Sequence, residues 1–310
     1  MKKKIVVIGS SNIDFIMKMS RLPRVGETIT DAVFMQTYGG KGANQAVGAA
    51  RAGGDVFFVN CVGDDDASRK MAEHFVSEGI HTEFVFHEEG ISSGTALVMI
   101  GEQGANYLSV SPGANYKLTS RHIDEVDELI RTAEIVVLQY EILQETLIYI
   151  LNACERYKTK VLWNFAPVRE FERSYLSKVN ILVVNETEAA MLSGIEVNED
   201  ATVELAAKEL KRLGCGTVII TLGVRGSFVS APGTNVWIPA YKVDVVDTTA
   251  AGDVYCGCLA VALAEGKSLA ASARFASAAA AISVTRLGAQ PSVPYRNEID
   301  GFMNSQEQAY

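Results

Sequence analysis

Six short runs of β-branched and aliphatic residues recur along the chain: KIVVIG, VFFVNCVG, EIVVLQ, KVLWNF, VNILVVN and TVIITLG. Several are apolar at consecutive positions rather than alternating, which is how strands buried on both faces read. Between them lie patterns of helical periodicity at 66–78, 120–131, 144–156 and 202–213, the last closed by Gly214 as a C′ glycine. Strand and helix in alternation predict an α/β fold, a doubly wound and mostly parallel sheet with helices on both faces. The 310 residues exceed the usual domain size, yet one α/β core over 1–310 with a small appendage accommodates them.

Two segments break the rhythm. Residues of about 13–37 and 94–110 read as strands with little helix between them, and TALVMI-GEQG-ANYLSV reads as a hairpin around a glycine-containing loop. They are expected to form a small β-sheet lid at the edge of the main sheet. ALVMI is apolar on consecutive residues, so both faces of such a flap need cover, one from a substrate and one from a second subunit. A hairpin packed on its own domain is the plainer alternative.

Charge and composition narrow the partners. A net charge of -9 argues against a general nucleic-acid or membrane-surface binder, which carries a basic face. The apolar run after MKKK is only Ile5 to Ile8, too short for a signal peptide, and no stretch approaches a membrane span. Cys61, Cys154, Cys215, Cys256 and Cys258 show no metal-ligand spacing, so a reduced, cytoplasmic protein is expected.

DTTAAGDVYCG, residues 247–257, needs a particular explanation. WIPAYKVDVV upstream is strand-like and DVYCGCLAVALAEG downstream is helix-forming and apolar nearly all round, so the segment reads as a strand-to-helix junction. The first amides of a helix lack intrahelical acceptors, and its dipole adds about half a positive charge. Ala250, Ala251 and Gly252 leave those donors uncovered for an anionic oxygen such as a phosphate. Asp253 falls in the first turn beside that place. Its carboxylate can take the proton of an attacking alcohol, or merely cap the helix.

Further polar groups stand at strand ends. SSNID and YGGKGANQA supply Asn12, Asp14, Lys41 and Asn44, with Gly39 and Gly40 allowing close backbone approach. Such groups suit a polyhydroxylated ligand. GGKGAN is not a Walker A loop, and the first strand lacks G-x-G-x-x-G, which removes the main support for a nicotinamide dehydrogenase. Glu141 ends another strand. Asn185 with Glu188 is either a capping box or a holder of a hydrated divalent cation. TLGVRG, residues 221–226, is either a nucleotide cradle or only a turn.

Taken in order, GSSNID, GGKGANQA, LQYE, NETEA, TLGVRG, DTTAAGD and AAAAISVTRLGAQPSVP resemble the PfkB carbohydrate kinase family, and within it the ribokinase branch. That resemblance implies transfer of the ATP γ-phosphoryl group to the 5-hydroxyl of D-ribose. It implies Asp253 as base and the backbone of Ala250, Ala251 and Gly252 as anion hole. Asn12, Asp14, Gly40, Lys41, Asn44 and Glu141 match sugar-binding positions. Asn185, Thr221, Leu222, Gly223, Val224, Arg225, Gly226, Gly252 and Ser277 match nucleotide positions, with Glu188 organising Mg2+. Asp247, Thr249, Ser283, Arg286, Gly288 and Ser292 match the ligands of a monovalent cation, usually K+. The projecting strands match the family's lid, a common homodimer contact.

Three positions depart from the family's habit: Ser277 where His or Asn is frequent, Cys256 in place of Asn, and Phe165 in place of Pro. They bear on nucleotide preference and sugar selectivity. Two alternatives stand beside ribose phosphorylation: the same chemistry on 2-deoxyribose, another pentose or a nucleoside, and a non-catalytic sugar or nucleotide sensor on the same fold. An intact anion-hole sequence beside Asp253 weighs against the sensor.

Overall fold

The computed structural model describes residues 2–101 and 106–307. In chain order the elements are β1 (Lys4–Ile8), β2 (Asn12–Met19), β3 (Val33–Gly39), α1 (Lys41–Arg51), β4 (Asp55–Val62), α2 (Asp66–Ser77), β5 (Val85–His87), β6 (Gly94–Gly101) and β7 (Asn106–Ser111). Then come α3 (Ser120–Glu125), α4 (Asp127–Thr132), β8 (Ile135–Leu138), α5 (Gln144–Tyr157), β9 (Lys160–Asn164), β10 (Ile181–Asn185), α6 (Glu186–Ser193) and α7 (Asp200–Arg212). β11 (Thr217–Thr221), β12 (Ser227–Ala231), β13 (Thr234–Ile238), α8 (Ala251–Ala264), α9 (Leu269–Ser283) and α10 (Arg296–Glu307) complete the described chain.

Among the described residues, nine strands form one sheet in the order β13-β12-β11-β10-β9-β8-β1-β4-β5. It is parallel from β11 to β5, and β12 and β13 are an antiparallel edge. All six apolar runs are strands of it. Their consecutive apolar residues divide between two cores: Val7, Phe58 and Val137 face α1, α8 and α9, while Val6, Val136 and Trp163 face the α3–α7 side. The predicted doubly wound sheet is therefore the observed one.

Four further strands, β3-β2-β6-β7, form the second sheet expected from the two irregular segments. β2 pairs parallel with β6, and the hairpin partners β2–β3 and β6–β7 are antiparallel. The expected turn between β6 and β7 falls at 102–105, outside the described residues. Both faces carry exposed apolar side chains. Val33, Met35, Leu108 and Val110 share the face of Asp14, and Phe34, Leu97 and Tyr107 share the other.

Two local expectations need correction. The 120–131 helix is two short helices interrupted at Val126, whose φ of -109° departs from helical geometry. In WIPAYKVDVV only Trp237 and Ile238 belong to a strand; Pro239 lacks the amide that a ladder needs, and 239–250 run without regular structure into α8. The junction before α8 is thus a coil-to-helix junction. Among the described residues no helix is long and apolar enough to cross a membrane.

Candidate active site

The sheet order reverses at β1: the chain moves outward to β4 and β5 on one side, then returns to β8 on the other. Crevices for ligands open at such reversals, beyond the carboxyl ends of parallel strands. Here the gap lies between the turn after β1 and the segment after β8. Glu141 Oε2 spans it, accepting from Ser10 Oγ at 2.5 Å and from the Lys41 amide at 2.9 Å. Only glycine fits next to this turn. At Gly40, φ is +87° and a Cβ would stand 2.7 Å from Ser11 Cα; at Gly42 a Cβ would meet the Ser10 amide nitrogen at 2.6 Å.

β2 leaves this turn carrying Asn12 and Asp14. Asn115 holds Asn12, donating from Nδ2 to Asn12 Oδ1 at 2.9 Å while accepting the Ser11 amide at 2.9 Å. Asn60 Nδ2 donates to Ser11 Oγ at 2.6 Å. Asp14 packs over Gly39, where a Cβ would come within 2.0 Å of its carboxylate. Its Oδ1 is buried and has no partner. Burial, reinforced by the charge of Glu141, pushes Asp14 up to about 7. A buried acceptor without a donor is costly to leave so, and a ligand hydroxyl is one group that could supply the donor.

Asp253, the third residue of α8, is buried. Gln45 Nε2 donates to its Oδ1 at 2.9 Å and Asn44 Nδ2 to its Oδ2 at 3.1 Å. Each of these amides is itself held: Gln139 Nε2 donates to Gln45 Oε1 at 2.7 Å, and Gln290 Nε2 donates to Asn44 Oδ1 at 3.3 Å. Burial raises Asp253 above the ordinary carboxylate value, against the opposing pull of Lys41, Gln45 and Asn44. Lys41 in turn is raised, chiefly by the charge of Asp253, with Glu141 and Glu188 adding to it.

The helix start beside Asp253 is built to be bare. Ala251 N–H reaches Thr248 O at 3.3 Å, and Val254 N–H starts the regular ladder of α8 on Ala250 O at 2.9 Å. Among the described residues the Gly252 and Asp253 amides have no acceptor. Ala250 holds φ at +60°, a conformation costing a non-glycine residue about 1–2 kcal/mol. Gly252 is different from the other site glycines. Its φ is not positive and a Cβ would meet nothing within 4 Å, so packing does not explain a glycine there. The glycine leaves its unbonded amide open to an anion.

The nucleotide-side residues divide. Asn185 and Glu188 form the reciprocal capping box of α6, each side chain accepting the other's amide at 2.9 Å. Glu188 is also buried, which raises it, and it lies within electrostatic reach of Asp253 and Lys41. Thr221–Gly226 is a tight turn in which Leu222 N–H donates to Gly226 O at 2.8 Å, Val224 is exposed, and Arg225 pairs with Glu186 at 3.6 Å and Asp200 at 3.4 Å. Ser277 lies half-buried in α9.

Of the cation set, Asp247, Thr249 and Gly288 come together. Thr249 Oγ1 and N–H donate to Asp247 Oδ1 at 2.6 and 2.9 Å, and Gly288 N–H donates to Oδ2 at 2.9 Å. Burial would raise Asp247, but these three donors outweigh it and hold it below the ordinary value. Ser283 joins the same region, since Val284 O accepts the amides of Val246 and Asp247 at 2.7 and 3.2 Å. Arg286 turns its guanidinium to Glu298 at 2.5 Å, leaving its backbone oxygen for an ion, while Ser292 Oγ donates to Ala289 O at 2.7 Å and keeps its lone pairs. Oxygen-only donors around an anchored carboxylate fit a hard monovalent cation.

Sequence reading missed the carboxamides that support the site: Gln45, Gln139, Asn164 and Gln290 behind Asp253 and Asn44, and Asn60 and Asn115 behind Ser11 and Asn12. Gln45 adjoins Asn44 in GGKGANQA, the one signal that could have found it. Phe165 belongs to the core, within 5.1–5.6 Å ring distances of Trp163 and Tyr140. Cys256 is fully buried one turn after Asp253.

Bare helix amides beside a buried carboxylate, at the mouth of a polar crevice, equip a kinase for a small hydroxylated acceptor. The chain belongs to the pfkB family of carbohydrate kinases, whose pattern matches residues 2–296. It is 36% identical over 303 residues to the ribokinase of Haemophilus influenzae, covering 98% of this chain and 99% of that one. It is 34% identical over 304 residues to the deoxyribokinase of Salmonella typhi, covering 98% and 99%. The structure of Arabidopsis thaliana ribokinase complexed with ribose and ATP superposes with a TM-score of 0.92 at 33% identity, covering 98% and 99%.

Two variants test the geometry. Gly252→Ala should fold at least as stably as the wild type, gaining up to about 1 kcal/mol from helix propensity, while kcat falls at least about 10²-fold as the methyl displaces the anion. Thermal melts and steady-state rates on one preparation read both; unchanged kcat contradicts the anion site. For Asp14 the folded carboxyl titrates near 7 instead of 3.8, so the native state holds an extra proton in between. Stability is therefore lost as pH rises from about 4 to about 7. Asp14→Asn removes that loss and should stabilise the free protein by about 2–4 kcal/mol at pH 8, and progressively less toward pH 4. A pH-independent difference in urea unfolding contradicts this.

Proposed function

We propose that this kinase transfers the γ-phosphoryl group of ATP to the 5-hydroxyl of D-ribose, giving D-ribose 5-phosphate and ADP. The observation that carries the reading is the adjacency, within one helical turn, of unbonded amides at Gly252 and Asp253 and the buried Asp253 carboxylate.

The sugar lies in the crevice, with Asp14 Oδ1 accepting from ring hydroxyls and Asn12, Lys41, Asn44 and Glu141 completing its bonds. Gly39 and Gly40 let backbone approach it. Asn44 exchanges its bond to Asp253 for one to the sugar and frees Oδ2, while Gln45 keeps Oδ1 fixed. Asp253, made more basic by burial, takes the proton of the 5-hydroxyl. The new O5–P bond forms as the bond from the γ-phosphorus to the bridging oxygen of ADP breaks, and the Gly252 and Asp253 amides hold the charge on the equatorial oxygens. Asn185, Thr221–Gly226 and Ser277 line the nucleotide's path.

Mg2+ bound with ATP would supply charge neutralisation between the phosphates, and Glu188 would hold it through water. The loop residues Asp247, Thr249, Ser283, Arg286, Gly288 and Ser292 would hold K+, polarising the anion hole from behind. The second sheet acts as a lid: the face of Asp14 closes over the sugar and excludes water, and the opposite face, with Phe34, Leu97 and Tyr107, meets the lid of a second copy. Five free, buried cysteines suit a reducing cytoplasm.

ADP release should depend on ribose, rise with K+, and drop at least about 10²-fold in Asp253→Asn. Preference for 2-deoxyribose or a nucleoside would reassign the substrate; full activity of Asp253→Asn would remove the base; and silence with every sugar tested would leave a sensor.

A further inference from the structure

Apart from the residues assigned to the crevice, Cys61, Glu88 and His122 converge. One ligand atom from each, the thiol sulfur, a carboxylate oxygen and an imidazole nitrogen, lie within 4.8 Å of one another. They come from separate elements: Cys61 from β4, Glu88 from the residue after β5, and His122 from α3. Cys61 is fully buried, while the Glu88 side chain is 33% and that of His122 13% exposed, so the group opens to solvent on the carboxylate side.

His122 is an unusual choice at its position. It is the third residue of α3 and accepts the Thr119 amide at Nδ1, 3.2 Å away, as the return half of a capping box. Glu or Gln ordinarily serves there. An imidazole adds what those residues cannot, a second ring nitrogen, and Nε2 points at Glu88 Oε1, 3.3 Å away. The ring is steadied by Phe86 at 4.6 Å, and Glu88 by its amide bond to Val62 O at 2.9 Å. With a metal on Nε2 the ring proton sits on Nδ1, which gives up the Thr119 amide bond and donates instead to Thr119 Oγ1, 3.3 Å away. A metal-bound histidine needs such an acceptor for its second ring nitrogen.

We propose that Cys61, Glu88 and His122 bind a thiophilic divalent cation of the zinc class, with water in the fourth position. A sulfur, a nitrogen and an oxygen donor select such an ion over Mg2+, which takes oxygen. Ligands of a tetrahedral zinc stand about 3.3–3.8 Å apart; Nε2 and Oε1 already do so at 3.3 Å, and binding requires them and the Cys61 sulfur, all within 4.8 Å, to close by up to about 1 Å. The metal–sulfur bond replaces the thiol S–H, whose proton passes to solvent; the Nε2 proton moves to Nδ1 through solvent exchange, with no net change.

The test uses full-length protein freed of metal with a chelator and titrated with CoCl2 or ZnCl2 without nucleotide. The wild type should develop a sulfur-to-cobalt charge-transfer band saturating at one equivalent, reversed by EDTA, and its Tm should rise with zinc. Cys61→Ser should lose the band. His122→Gln keeps the capping box, folds, and should bind cobalt at least about 10-fold more weakly. Absence of the band in the wild type, its survival in Cys61→Ser, or wild-type affinity in His122→Gln overturns the site. Should Cys61→Ser fail to fold, His122→Gln and Glu88→Gln decide it.

Discussion

The close contact of α1 with α8 is the constraint from which the site follows. A Cβ at Gly257 would stand 2.4 Å from Gln45 O and 2.8 Å from the Ala49 nitrogen, and at Gly48 one would touch Val254 Cα at 3.5 Å. Only with small residues at the crossing do the helices come near enough for the short carboxamides of Asn44 and Gln45 to reach Asp253. Those donors matter because α8 is otherwise apolar and buried, and an ionised carboxylate in such surroundings needs hydrogen bonds to persist. The amides and the charge of Lys41 supply part of that support without outweighing burial, so Asp253 stays above the ordinary carboxylate value.

Around that pair the electrostatics are lopsided. Lys41 stands among Asp253, Glu141 and Glu188, and Asp14 is pushed up partly by Glu141. A crevice so rich in carboxylates suits hydroxyl donors and repels a polyphosphate. The bare amides of α8 and the Lys41 ammonium are what this chain itself offers an anion. The chain's overall charge of -9 makes such local positive features decisive.

Much of this was readable without coordinates. The two-faced apolar runs specified the parallel sheet, and the break in rhythm at 13–37 and 94–110 specified a second sheet. Asp253 and its small neighbours were visible because few cores tolerate such a stretch. The carboxamides behind Asp253 were not, because Gln45, Gln139 and Gln290 are far apart in sequence and meet only through the fold. Nor was the coil at 239–250, where a β-branched run reads as a strand although Pro239 prevents its ladder. The Asn185–Glu188 capping box was legible as local structure, and its bonds are as expected; its second oxygen's role depends on a ligand that sequence does not describe.

The central claim is that a phosphoryl group rests on the first amides of α8 with the Asp253 carboxylate facing the acceptor oxygen. A structure of the complex with ribose and a non-hydrolysable ATP analogue measures it most directly. The terminal phosphate oxygens should lie about 3 Å from the Gly252 and Asp253 nitrogens, and Asp253 Oδ2 at hydrogen-bond distance from the sugar's O5. A terminal phosphate seated away from these amides, or a carboxylate turned from O5, would contradict the account.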